Sequence, residues 1–144
     1  MKIATKRLVL AVLAPLLLTT AASALMPWPR ESIAEVENGR SAPFVGQWSM
    51  IVEGRPDTTY ATCDLPVRIR AANDTHIFYE GPNDPEAEAA TELVSRNGRT
   101  AWLPIAGGPR YFAVWVHPDR FHLYGADVED EVDWGEPYAF TGCD

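Results

Sequence analysis

The stretch Leu93-Val94-Ser95-Arg96-Asn97-Gly98-Arg99-Thr100-Ala101-Trp102-Leu103 carries the strongest local structural signal of the chain. An Asn-Gly pair between two strand-like runs is typical of a two-residue β-hairpin, because both turn positions then need positive φ angles. The resulting register places Leu93 opposite Trp102 and Val94 opposite Ala101. This stretch therefore predicts two neighbouring antiparallel strands.

Short strands and tight turns continue on both sides of this hairpin. The first strand, at 47–52, places Trp48, Met50 and Val52 on one face, because side chains alternate along a strand. Further strands are predicted at residues 63–70, 76–80, 110–117, 121–125 and 138–143. In the strand at 63–70, Leu65 shares a face with Val67, and Pro66 indicates an edge position or irregular pairing.

The order of these elements predicts the fold class. Seven or eight short strands follow one another, with no long amphipathic helix between them. This pattern favours an all-β antiparallel meander over a parallel α/β sheet. Such a meander can close into a small up-and-down barrel, which removes exposed strand edges. We expect the barrel domain to occupy residues 44–144.

Residues 1–24 are typical of a secretory signal peptide. Basic residues precede an apolar run at 8–18, and small residues up to Ala24 form the A-x-A pattern of a cleavage site. The apolar run is shorter than the roughly 20 residues that a transmembrane helix needs. The segment predicts a periplasmic or secreted protein with no membrane insertion after cleavage.

The charge balance disfavours two classes of partner. The chain has 12 basic and 20 acidic residues and a net charge of −8. Three basic residues and no acidic ones lie in the signal segment, so the exported chain would carry a charge of −11. Such an acidic surface repels phosphate backbones and anionic lipids, which disfavours binding to nucleic acids or to membrane surfaces.

Cys63 and Cys143 are the two cysteines of the sequence. A pair of cysteines in an exported chain meets an oxidising compartment. This predicts a disulfide rather than free thiols or a metal site.

Residues 25–43 form a leader between the signal segment and the barrel. The stretch Met26-Pro27-Trp28-Pro29 is too rich in proline for a helix or a central strand. Residues 30–38 predict a short helix that ends at Gly39. The leader is either flexible or docks on the barrel or on a partner.

The stretch Gly46-Gln47-Trp48 resembles the G-x-W motif that opens lipocalins and related small barrels. This resemblance implies that Trp48 plugs one end of a lipocalin-like barrel. A leader, the same motif and a strand with Cys63, in this order, also resemble the bacterial periplasmic inhibitors of serralysin-type metalloproteases. That resemblance implies that the first leader residues enter a protease cleft and block its zinc: Leu25, Met26, Pro27 and Trp28. The terminal position of Cys143 departs from that family, whose second cysteine usually lies mid-domain.

A second hairpin, around Pro118-Asp119, predicts a surface that contacts a partner. A two-residue loop would place Trp115 opposite His122 and turn Phe112 and Val114 toward the core. The opposite side chains would then face solvent: Tyr111, Trp115, His117, Arg120, His122 and Tyr124. Exposed aromatic side chains are candidates for contact with another protein, unless the leader or a loop covers them.

The sequence contains no pattern that predicts catalysis or a cofactor. Neither Ser49 nor Ser95 lies in a nucleophile elbow with a histidine positioned as base. His117 and His122 lack an identifiable third zinc ligand, and the acidic stretch 127–136 lacks the spacing of a calcium loop. We expect no enzyme activity, no metal and no cofactor.

Three functions are compatible with these features. The first is an exported, non-catalytic binding protein of the bacterial envelope that acts on another envelope or secreted protein, with protease inhibition through the leader as its most specific form. The second is a carrier of a small apolar ligand inside the barrel, which requires a cavity of roughly 300 Å³ or more. The third is a structural or accessory envelope protein.

Overall fold

The computed structural model describes residues 28–84 and 86–144. Nine antiparallel strands make up nearly all regular structure in these ranges, where the only helical element is a 3₁₀ turn at Ala42–Phe44. The strands are β1 (Gly46–Val52), β2 (Arg55–Ala61), β3 (Val67–Asn73), β4 (His76–Glu80), β5 (Thr91–Arg96), β6 (Arg99–Pro104), β7 (Arg110–His117), β8 (Arg120–Ala126) and β9 (Tyr138–Gly142). The predicted all-β class is confirmed.

The sheet closes on itself through β1. One edge of β1 pairs with β9, from Trp48↔Gly142 to Val52↔Tyr138. The other edge pairs with β3 up to Trp48 and with β2 from Met50 onward, so β2 and β3 follow each other along one line of the wall. From β3 to β9, each strand pairs with the next one in the chain. The domain is thus a closed, eight-stranded up-and-down barrel, as predicted, with one extra strand. The strand β2 was not among the strands predicted from the sequence.

The hairpin predicted at residues 93–103 has the expected register. Leu93 pairs with Trp102, and both side chains are buried. Asn97 and Gly98 have φ angles of 50° and 76°. These are the positive angles that a type I′ turn requires, so local turn chemistry sets the pairing of β5 with β6.

The strand predicted at 63–70 is wrong in its first half. The chain instead makes a tight turn closed by the bridge Thr62↔Leu65, and β3 begins only at Val67. Pro66 has no N–H to donate to the ladder, which explains this interruption and confirms the irregular pairing expected there. Leu65 is consequently 48% exposed instead of inward.

The leader packs against the barrel, and the helix predicted at 30–38 is wrong. The N–H of Ile33 donates to the carbonyl of Trp115 at 2.9 Å, and the N–H of Trp115 donates to Ser32 Oγ at 3.0 Å. The leader thus pairs with the edge of β7 beyond the last β6–β7 pair, Thr100↔Ala113. Bonds to the barrel replace the internal bonds that would have formed a helix.

The leader then crosses one end of the barrel and closes it. Val36 and Phe44 are buried there, and the Phe44 ring lies 4.8 Å from Trp115 and 5.1 Å from Phe121. The Trp48 Nε1–H donates to the carbonyl of Phe44 at 2.8 Å. These aromatic side chains, called here the aromatic plug, fill this half of the interior: Phe44, Trp48, Trp115 and Phe121.

Part of the predicted leader and signal falls outside the described residues, namely residues 1–24 and Leu25, Met26 and Pro27. Trp28, the first described residue, is half-buried beside Gly54 in the turn between β1 and β2. Over the two described ranges, no helix has the length and apolar character needed to cross a membrane.

The predicted disulfide between Cys63 and Cys143 is present. It joins the turn between β2 and β3 to the residue after β9. These two segments lie on opposite sides of β1, so the bridge fastens the strands that close the barrel.

Replacing both cysteines by serine should lower the free energy of unfolding by about 3–5 kcal/mol. The reason is that the bridge closes a loop with a sequence separation of 80 residues and restricts the unfolded chain. Urea titration measures this loss, and reduction of the unmodified protein should produce a similar one. A loss below about 1 kcal/mol would show that the bridge contributes little to closure.

Phe44→Ala should lower the free energy of unfolding by about 3–5 kcal/mol, because it empties the centre of the aromatic plug. Val45→Ala is the matched control, since Val45 is 48% exposed and should change stability by no more than about 0.5 kcal/mol. Both are measured by chemical denaturation. Equal effects of the two substitutions would contradict the role assigned to Phe44.

Candidate ligand-binding cavity

The barrel end opposite the aromatic plug opens into a cavity of about 330 Å³. Every strand except β3 contributes to its described walls. The lining residues are Met50, Tyr60, Tyr79, Thr91, Trp102, Pro104, Pro109, Tyr111, Leu123, Tyr138 and Phe140. Six of these eleven side chains are aromatic and none carries a formal charge, so the surface is apolar with a few hydroxyl groups.

Strand alternation explains the layering of the cavity. On β7, Trp115 belongs to the aromatic plug, and Tyr111 lies on the same inward face nearer the open end. On β9, Tyr138 lies above Phe140, whose ring stacks on Phe121 at 4.5 Å between centroids. The floor of the cavity is therefore the upper surface of the aromatic plug.

An irregularity in β2 places Tyr60 at the cavity mouth. The register of β1 with β2 shifts after the pair Met50↔Ala61 and skips Tyr60. Such a β-bulge re-aims the side chain of the extra residue. Tyr60 remains 52% exposed, and its ring lies 5.7 Å from Tyr138 in an edge-on arrangement.

The tyrosine hydroxyls supply most of the polarity of the cavity. Burial raises the pKa of Tyr79 to about 12, and the neighbouring Tyr111, Asp84 and Tyr138 add to this effect. Burial also raises the pKa of Tyr111, with a contribution from Tyr138. The Tyr79 hydroxyl donates to Met50 Sδ at 3.9 Å. Tyr79 and Tyr111 are therefore uncharged at neutral pH and available as hydrogen-bond donors.

The outward face predicted for the second hairpin is wrong for two of its residues. Trp115 pairs with Phe121 instead of His122, because the register shifts between Trp115 and His117. This bulge reverses the faces expected for β7. Tyr111 and Trp115 consequently point into the barrel, where one lines the cavity and the other belongs to the aromatic plug.

The outer face of β7 and β8 is instead covered by the leader. Phe112 and Val114, expected in the core, are buried on this outer side, as are His122 and Tyr124. The Tyr124 hydroxyl donates to the carbonyl of Pro29 at 3.4 Å. Leader and barrel therefore form a second apolar layer outside the wall.

The loop between β8 and β9 adds Trp134 to this cover. The Trp134 ring lies 4.9 Å from the Tyr124 ring, and the guanidinium groups of Arg30 and Arg99 lie 4.9 Å and 4.8 Å from its centroid. The cation–π contact of Arg30 attaches the leader to this loop, and that of Arg99 attaches β6 to it. Of the side chains predicted to face solvent on this hairpin, His117 and Arg120 are exposed, on either side of the tip.

His122 is a buried titratable group on this outer wall. It is 5% exposed, its Nε2 lies 3.7 Å from Glu53 Oε2, and its Nδ1 has no hydrogen-bond partner among the described residues. Burial lowers the pKa of His122 below its usual 6.5, although Glu53 opposes this effect and Arg120 adds to it. The folded protein therefore holds His122 neutral.

The free energy of unfolding should fall as the pH drops below about 6.5. The unfolded chain then binds a proton at His122 that the folded protein resists, so the stability present above this pH is progressively lost. Urea titrations between pH 7.5 and 5 measure the slope. His122→Gln should flatten it. An equal slope in His122→Gln and the unmodified protein would contradict this assignment.

Within the described part of the chain, no group of three or more His, Cys, Asp or Glu side chains is placed to hold a metal ion. The described lining of the cavity contains no ionisable side chain other than tyrosine.

Comparisons with protein-family models, with curated proteins and with solved structures find no match for the chain.

Tyr60, Tyr79 and Tyr138 were not identified as site residues from the sequence. The available signal was a tyrosine near one end of each of several strands. That signal becomes interpretable only when the strand registers place these ends at the same opening of the barrel.

Proposed function

We propose that this chain is an exported, non-catalytic binding protein that holds a small apolar ligand in the open end of its barrel. The observation that carries the proposal is the cavity of about 330 Å³ among uncharged, mainly aromatic side chains. Ligand pockets begin at about 300 Å³ and are lined mostly by apolar and aromatic groups with few polar ones. The cavity thus meets the size requirement for a carrier.

The difference between the two barrel ends supports this proposal. At the closed end, Phe44 and Trp48 fill the interior and are hydrogen-bonded to each other. At the open end, the inward-facing tyrosine side chains line the cavity and do not fill it. A barrel that is solid at one end and hollow at the other gives a ligand one route of entry.

The lipocalin-like resemblance is consistent with this arrangement. Gly46 and Trp48 stand at the start of β1, and the Trp48 side chain lies in the closed end. The disulfide fits an oxidising compartment, which agrees with the predicted export to the periplasm or beyond the cell.

The leader favours a small ligand over a protease as the bound molecule. From Ser32 to Ser41 its backbone is hydrogen-bonded to the barrel, and its apolar residues Ile33 and Val36 pack on the core. This described segment stabilises its own barrel. The alternative is a protein partner that binds through the residues before Ser32. Co-purification of such a partner from the envelope fraction would reveal it.

Thr91→Trp should abolish the binding of the neutral fluorophore N-phenyl-1-naphthylamine or weaken it at least about tenfold. Thr91 lines the cavity and is half-buried, so an indole there occupies the space of the ligand. Fluorescence titration of the purified mature protein measures the dissociation constant.

Glu92→Trp is the matched control for this experiment. Glu92 is the next residue of β5 and is exposed, so the same indole should leave binding unchanged. Absence of fluorophore binding to the unmodified protein, or equal binding by Thr91→Trp, would refute the carrier function. A protein that co-purifies from the envelope fraction with an empty barrel would support a protein partner instead.

A further inference from the structure

Three tyrosines, called here the tyrosine cluster, line the same cavity: Tyr79, Tyr111 and Tyr138. They lie on β4, β7 and β9, and all three side chains are partly buried. Tyr79 donates only to a thioether sulfur, a weak acceptor. Among the described residues, the hydroxyls of Tyr111 and Tyr138 make no hydrogen bond to the protein. Three partly buried donors thus lack a strong protein acceptor.

The charges around this cluster disfavour an anionic ligand. None of the eleven lining residues carries a positive charge. Arg110 is next to Tyr111 in the chain, but its guanidinium is bound to Asp130 Oδ1 at 2.9 Å and to the carbonyl of Val128 at 3.0 Å. A carboxylate in the cavity would lose water without gaining a cation.

A cationic ligand is disfavoured for a related reason. None of the eleven lining residues bears a carboxylate that could pair with an ammonium group. The tyrosine rings offer cation–π attraction, but burial of an unpaired charge costs more than the roughly 0.5–2 kcal/mol that such contacts provide. The cavity therefore suits a molecule without formal charge.

We infer that the ligand is an uncharged molecule with an apolar body and a hydroxyl or carbonyl group that bonds to Tyr79, Tyr111 and Tyr138. The body lies against Leu123 and Phe140 on the cavity floor. The polar group lies at the tyrosine cluster. This assignment rests on the proposed carrier function and adds the chemical class of its ligand.

Competition among three probes of equal chain length tests the class. Each of the probes, 1-decanol, decanoate and decyltrimethylammonium, is titrated into the mature protein with bound N-phenyl-1-naphthylamine at pH 7.5. The loss of fluorescence measures displacement of the fluorophore. We expect 1-decanol to bind at least about tenfold more tightly than either ion. Tighter binding of decanoate or of decyltrimethylammonium would overturn the assignment in favour of an anionic or a cationic ligand.

Tyrosine variants separate hydrogen bonding from general hydrophobicity. Tyr111→Phe combined with Tyr138→Phe should weaken 1-decanol binding by about 3- to 10-fold for each hydrogen bond lost, while fluorophore binding changes little. Tyr124→Phe is the control, because that hydroxyl lies on the outer wall and donates to Pro29. Unchanged 1-decanol binding by the double variant would refute the tyrosine assignment alone, whereas failure of the unmodified protein to bind the fluorophore would refute the carrier function itself.

Discussion

The hydrogen bonds along both edges of β1 are the constraint on which this structure depends. One edge is paired with β9 and the other with β3 and β2, so β1 is the strand at which the sheet becomes a cylinder. Closure satisfies the backbone groups that an open sheet would expose at its edges. The disulfide from Cys63 to Cys143 fastens the two segments that flank this strand. An interior with two separate ends exists only because β1 completes the wall.

The two ends of this interior differ in the side chains that occupy them. The chain enters β1 at the closed end, where Phe44 and Trp48 fill the space and the leader crosses over them. At the other end, the bulge in β2 aims Tyr60 across the opening. The bulge therefore shapes the mouth of the cavity. The hydroxyl groups of the cavity come mainly from strand ends that closure of the barrel brings together.

Local chemistry in the sequence predicted much of the fold but little of the cavity. Asn97-Gly98 determines a turn by itself, so the register of β5 with β6 could be predicted correctly. The pairing of Trp115 depends on a bulge in β7, and no turn residue in the sequence indicates this bulge. The prediction therefore assigned the β7 side chains to the wrong faces of the sheet. The leader formed no helix because its hydrogen bonds go to a distant strand. The tyrosine cluster could not be foreseen, since Tyr79 and Tyr138 are neighbours only through tertiary structure.

A crystal structure of the mature protein soaked with 10-bromodecan-1-ol tests the central claim most directly, because anomalous scattering locates the bromine. The account predicts one bromine peak against Leu123 and Phe140 inside the barrel, with the hydroxyl oxygen within hydrogen-bond distance of Tyr111 or Tyr138. Bromine found only on the outer surface, or a cavity that stays empty while the compound binds elsewhere, would contradict it.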